Sequence, residues 1–134
     1  MTEYNDGVLR CLIPDRWQAF AGSSAGKVHI YKDIDSPEQV YLRAGITICV
    51  HPNKGWYCST RGFYDNVADI APLEIGGRVW QGYTCTSLGY PYTMLEAEDG
   101  PAMLQVMVLE RNGEYTISMK DGDVLTILDS IERC

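Results

Sequence analysis

The sequence predicts an α+β fold, an antiparallel β-sheet of about six strands with helices packed on its faces. Three observations carry this. Over residues 40–50, Val40, Leu42, Ala44, Ile46, Ile48 and Val50 are apolar, with Tyr41, Arg43 and Thr47 between them and His51 after the run. That is the period of a strand with one buried face. Asn112-Gly113 lies between two strand-like runs, and a type I′ hairpin turn needs positive φ at both central residues. Near the end of the chain Val124, Leu125, Ile127, Leu128 and Ile131 form one apolar stripe at helical spacing. Strands in succession with few helices between them favour antiparallel pairing. A chain of 134 residues and 15.0 kDa is expected to form a single globular domain over residues 1–134.

The elements follow in order. Residues 8–13 and 17–20 read as strands on either side of the turn pair Pro14-Asp15, and residues 28–32 as another. Ser36-Pro37-Glu38-Gln39 has the form of a helix start. A helix continued from there would scatter the alternating apolar side chains, so it is expected to last at most one turn. Phe63, Val67 and Ile70 stand at i, i+4 and i+7, with Pro72 as a stop, and predict a helix. Residues 79–88 and 92–98 read as strands separated by Gly89-Tyr90-Pro91. Residues 102–109 are apolar on both faces except at Gln105, as in a central strand covered on both sides. After Asn112-Gly113, Tyr115, Ile117 and Met119 alternate with Thr116, Ser118 and Lys120 in a returning strand. Asp121 or Asp123 is placed to cap the last helix, and Arg133 to lie near the negative end of its dipole. Trp17, Trp80 and Phe63 are expected in the core.

Eleven Lys and Arg against 18 Asp and Glu leave a net charge of −7, and the basic residues are scattered singly from Arg10 to Arg133. Without a basic footprint, neither nucleic acid nor an anionic membrane surface is expected as partner. No run approaches the ~18 apolar residues of a membrane span. Met1 to Asp6 is polar and acidic, unlike a signal peptide. None of the four Asn has Ser or Thr two places later. Five cysteines, an odd count without repeated spacing, argue against a disulfide framework. Together these predict a reducing cytoplasm.

Gly22-Ser23-Ser24-Ala25-Gly26 matches the G-x-S-x-G pattern of a nucleophile elbow. The elbow needs a strand-to-helix turn, whereas residues 27–32 alternate like a strand, so a loop is expected. His29 and His51 are the two imidazoles, each opposite the apolar set of its strand. Cys49, Val50 and His51, with Cys58 and Cys85 farther on, hold thiolate and imidazole donors but lack the paired spacing of a structural zinc site. Glu96, Glu98 and Asp99 flank a Gly-Pro turn. Asp121 and Asp123 lack the acidic run of a calcium loop. No catalytic residue, metal ligand or cofactor site is therefore predicted. The aromatic residues stand out instead. Nine Tyr and three Trp against two Phe favour rings with a polar end, the type enriched at interfaces. Trp56, Tyr57, Tyr90 and Tyr92 fall at expected loops or strand ends and are the candidate partner-binding residues.

The strand entering Ile13-Pro14-Asp15-Arg16-Trp17 and the closing stretch from Val124 to Ile131 resemble the opening and the terminal helix of PsbP-like and Mog-like domains. The resemblance spans the chain as architecture and about 13 residues as motif. It implies an α/β/α sandwich on an antiparallel sheet. It also implies non-enzymatic work, because members bind proteins: a Ran-GTPase partner, an extrinsic photosystem subunit, and bacterial cytoplasmic adaptors that hold secretion effectors.

The function expected is a bacterial, cytoplasmic protein-binding module, adaptor or chaperone-like, whose protein partner docks on a sheet edge or on the aromatic loops. An exposed edge would also allow a homodimer. Two alternatives stand beside it. One is a small-molecule or lipid-binding domain with an apolar pocket between sheet and helix lined by Met103, Met107 and Met119. The other is an enzyme using His51 with Cys58 or Cys49.

Overall fold

The computed structural model describes residues 1–134, of which 54% lie in strands and 15% in helices. β1 (Thr2–Asn5) and β2 (Leu9–Ile13) form a hairpin, followed by β3 (Trp17–Ala21), β4 (Lys27–Lys32) and β5 (Gly45–His51). Next come β6 (Asp65–Ile75), β7 (Arg78–Ser87), β8 (Tyr90–Asp99) and β9 (Ala102–Leu109). The two-residue strands β10 (Arg111–Asn112) and β11 (Tyr115–Thr116), the helix α1 (Gly122–Asp129) and β12 (Glu132–Arg133) close the chain. Seven strands make one antiparallel sheet in the order β3-β4-β5-β9-β8-β7-β6, and β1-β2-β12 form a separate three-stranded sheet.

The core lies on one face of the large sheet, the inner face. Val28 and Ile30 of β4, Ile46 and Ile48 of β5, Leu104, Val106 and Val108 of β9 and Leu95 of β8 point there. They pack against Leu9, Cys11 and Ile13 of β2 and against Val124, Ile127 and Leu128 of α1. Each such side chain withdrawn from water contributes about 1.5–3 kcal/mol. At eight residues α1 is too short to stand alone in water, and its buried stripe holds it in place. The Trp17 indole N–H donates to Asp123 Oδ2 at 3.0 Å, tying the start of β3 to the first helical turn.

The α+β expectation is therefore corrected to a mainly β fold. One α-helix and three short 3-10 turns cannot form helical layers, and no α-helix covers the second, outer face. The α/β/α sandwich implied by the PsbP-like and Mog-like resemblance is not what the chain builds. Several elements are corrected with it. The expected helix at Phe63, Val67 and Ile70 is the edge strand β6, preceded by a 3-10 turn at Arg61–Phe63. Phe63 is 87% exposed rather than core, while Trp17 and Trp80 are buried. The strand expected over residues 40–50 begins only at Gly45, because the Ser36-Pro37 signal starts a 3-10 helix over Pro37–Leu42. There Gln39 Oε1 accepts from the N–H groups of Asp35 and Ser36, at 2.6 and 3.4 Å. After Asn112 the two loop residues are Gly113 and Glu114, and the returning strand lasts two residues. Asp121 holds the N-cap position, but its carboxylate accepts from the Ser118 N–H at 2.8 Å instead of a helical N–H. Arg133 lies in β12 and reaches Asp99 at 3.4 Å, not the end of the helix.

Candidate functional site

Strand register assigns the outer face row by row, because side chains alternate across a strand and paired residues share a face. One row crosses the sheet as Gln18, Tyr31, Gly45, Leu109, Tyr92 and Cys85. The next row runs Phe20, His29, Thr47, Met107, Met94, Tyr83 and Asp69. Farther down, Cys49, Gln105, Glu96 and Gln81 form a third.

Residues 52–64 cross this face from the end of β5 to the start of β6 and cover its lower part. Tyr57 packs on His51 with ring centroids 4.6 Å apart. Ser59 donates to Glu96 at 3.2 Å. Arg61 pairs with Asp69 at 2.7 Å and lies 5.0 Å from the centre of the Tyr83 ring. Lys54 pairs with Glu98 at 3.5 Å, and its N–H bonds Pro101 O at 2.8 Å. Tyr83, Cys85 and Met94 are thereby buried, with Tyr64, Val67, Tyr92 and Met107 packed against them.

Above the loop the face has no covering element. Phe20, Tyr31, Leu109, Tyr92 and Met107 are half-buried there, and the Phe20 and Tyr31 rings stand 6.2 Å apart. Gly45 leaves the gap in which Tyr31 lies: a Cβ at Gly45 would come within 2.4 Å of its ring. Burial first, then the charge of Tyr41, raises the Tyr31 phenol pKa. Burial first, then Tyr31, Tyr64, Cys85 and Tyr90, raises that of Tyr92. Tyr31 and Tyr92 share one row of the outer face, separated by Gly45 and Leu109. On its rim are Tyr41, Leu42, Leu88 and Tyr90, all exposed.

The four residues expected from sequence do not form one patch. Tyr92 lies in the trough and Tyr90, 44% exposed, on its rim. Trp56 is 85% exposed in the 3-10 turn Lys54–Trp56, on the crossing loop. Tyr57 faces inward, its hydroxyl shut off from solvent without a hydrogen-bond partner. Burial, followed by Glu96, pushes its pKa upward, and its ring on His51 anchors the loop. Sequence reasoning missed Tyr31 and Phe20, whose signal was their place opposite the apolar residues of β4 and β3.

The alternative readings are separated by the same geometry. Met107 lies in the trough, Met103 in a hollow of about 530 Å³ with Gln81, Glu96 and Glu98, and Met119 in a groove on the inner face. The three methionines thus line no common pocket. His51 Nε2 is within 2.9 Å of Gln105 Oε1, and His29 Nδ1 within 2.9 Å of Thr47 Oγ1. Burial, against a smaller opposing pull from Lys27, keeps the Cys49 thiol pKa high. A thiol held protonated is a poor nucleophile.

No family model matches the chain, and no curated protein matches it. Among solved structures, one from Bacteroides thetaiotaomicron superimposes with a TM-score of 0.51 at 11% identity, over 94% of this chain and 45% of that one. This chain thus spans under half the length of that structure, and the likeness is one of fold. LpqN of Mycobacterium tuberculosis, described as involved in cell envelope biogenesis, gives a TM-score of 0.45 at 13% identity, over 98% of this chain and 89% of LpqN.

Proposed function

We propose that this protein is a non-enzymatic, cytoplasmic protein-binding module, adaptor or chaperone-like, that docks its partner on the outer face of the large sheet. The observation that carries this is the difference between the two faces. α1 and the three-stranded sheet pack on the inner one, whereas the upper outer face holds Phe20, Tyr31, Leu109, Tyr92 and Met107 half-buried, with neither the α-helix nor the small sheet over them. Tyrosine offers a large amphipathic contact at low entropic cost, and methionine adapts to varied shapes. Free Cys58 and Cys134 on the surface fit a reducing compartment.

The trough runs out to an unpaired edge at β3, which carries no charge and no proline. The opposite edge, β6, has Pro72, two register shifts and the acids Asp65, Asp69 and Glu74, all devices that discourage pairing. An extended partner segment lying along Phe20 can therefore add its backbone to β3 while its side chains enter the trough.

The test is affinity capture from lysate of the native cell with three baits: wild type, the Tyr31→Ala, Tyr92→Ala double variant, and Trp56→Ala. A stoichiometric protein is expected on wild type and on Trp56→Ala, weakened about a hundredfold on the double variant, as loss of two aromatic anchors implies. Equal capture by all three baits, or no stoichiometric capture at all, overturns the reading.

A further inference from the structure

One free edge of the large sheet is β3, and its backbone shows what fits there. The Asp33 N–H donates to Arg16 O and the Gly22 N–H to Lys27 O, each at 2.8 Å. Between them the register is unbroken from Trp17↔Lys32 to Ala21↔Val28. Antiparallel bonding alternates along a strand, so Gln18 and Phe20 direct their N–H and C=O groups to β4, whereas Ala19 and Ala21 turn theirs outward. No strand lies beyond them. The Trp17 N–H is already taken by Pro14 O at 3.1 Å.

The outward groups of Ala19 and Ala21 are self-complementary. About a two-fold axis at Phe20, a second copy of β3 sets its Ala21 opposite Ala19 and its Ala19 opposite Ala21, and every one of these N–H and C=O groups is bonded. An axis at Ala19 would instead set the Ala21 C=O against the occupied Trp17 N–H. Charge favours the same occupant. No charged side chain occurs from Trp17 to Gly26, and between Pro14 and Ile34 the cations Arg16, Lys27 and Lys32 outnumber Asp15 and Asp33. In a chain of net charge −7, a second copy meets no net repulsion here, and a basic partner finds no attraction. On the outer face the half-buried Phe20 rings of the two copies meet as a cross-strand pair. We propose that the chain forms a two-fold dimer by antiparallel pairing of β3 with β3 of a second copy, centred on Phe20. The second copy then excludes an extended partner segment from β3. The dimer rests on the edge rather than on docking in the trough, and its test reads mass rather than capture.

Sedimentation of the full chain from about 1 µM to about 1 mM should show the mass rising from 15.0 kDa towards twice that value. Ala21→Pro removes an outward donor without touching a bond to β4, since proline is tolerated on edge strands. It should raise the dissociation constant at least about tenfold. Phe20→Lys sets like charges opposite one another on the axis and should do the same, which keeps the test decisive if Ala21→Pro does not fold. Ala68→Lys on β6, the other edge, should leave the dimer unchanged. The register is read with Phe20→Cys in a Cys58→Ser, Cys134→Ser background. Paired Cα atoms on the axis stand ~4.5 Å apart, within disulfide reach, so air oxidation should yield a covalent dimer. Gln18→Cys in the same background lies off the axis and should not crosslink. A monomer throughout the range, a dimer that survives both β3 variants or is lost in Ala68→Lys, or crosslinking at Gln18→Cys equal to or above that at Phe20→Cys overturns the proposal.

Discussion

Asp6 shows how much one side chain can organise. Its carboxylate accepts from the N–H groups of Val8 and Leu9, both at 2.9 Å, from the Gly26 N–H at 2.7 Å and from the Tyr4 hydroxyl at 3.0 Å. It thus joins the β1-β2 hairpin to the loop before β4. Burial pushes its pKa up, but these bonds prevail and hold it below the ordinary 3.8. A depressed carboxylate contributes stability that is intact above its unfolded pKa and fades as pH falls through its folded one. Asp6→Ala should therefore cost about 2–3 kcal/mol at neutral pH. Urea unfolding of both proteins at neutral and acid pH should show the gap narrowing only below the ordinary carboxylate value; a gap constant with pH contradicts the assignment. Cys11 and Tyr4 set the alkaline side. Burial is the leading cause that raises each to about 12, so their contributions persist below their ordinary values of 9.0 and 10.0 and are lost as pH climbs towards 12. Leu88 tells a different story. It sits at φ 51° beside Gly89 in the two-residue β7-β8 turn and is 93% exposed. Asn tolerates that conformation better. Leu88→Asn should raise stability by about 1 kcal/mol while weakening partner capture, since Leu88 is on the trough rim. A stabilised variant with undiminished capture would remove Leu88 from the interface.

Among elements, β6 shows why local pattern misleads. Val67, Ile70, Leu73 and Ile75 are its more buried residues, and the spacing of three among the first three is what a helix would also give. Register shifts between Asp65 and Ala68 and between Ile70 and Leu73 break the period of two. Val67 consequently packs on the outer cluster, and Ile70 and Leu73 on the inner. Pro72 stops a helix but is tolerated on an edge strand. By contrast, β9 and α1 were legible as elements, β9 from the unbroken apolar run of residues 102–109 and α1 from the Val124–Ile131 stripe, although the cover expected on both faces of β9 is missing on the outer one, where Met107 and Leu109 are half-buried. β5 couples element to site through Gly45. There a Cβ would meet the Tyr31 ring at 2.4 Å and the Ile30 carbonyl oxygen at 2.7 Å. The backbone oxygen cannot swing away, so Gly45→Ala should cost about 1–3 kcal/mol and displace Tyr31 from the trough. Thermal unfolding with partner capture on the same variant checks both; full stability with full capture contradicts the close approach.

At the scale of the whole molecule, the candidate site depends on sheet order, which no local pattern encodes. Tyr31 and Tyr92 come to lie in one row of the same face because β4, β5, β9 and β8 are successive neighbours. Alternation could place Tyr92 and Tyr31 on faces of their own strands but not on the same face of one sheet. Trp56 and Tyr57 looked equivalent as adjacent loop aromatics, yet one projects outward and the other closes over His51. The methionines turn this geometry into a direct test. Met107 lies on the outer face at the trough, Met94 on the same face in the cluster buried beneath residues 52–64, Met119 in the inner groove and Met103 in the lower hollow. Carbon-13 methyl NMR of the methionines, followed as the captured partner is added, reads each surface separately. The account predicts that Met107 shifts while Met119 does not. Movement confined to Met119 or Met103, with Met107 unmoved at saturation, would contradict docking on the outer face.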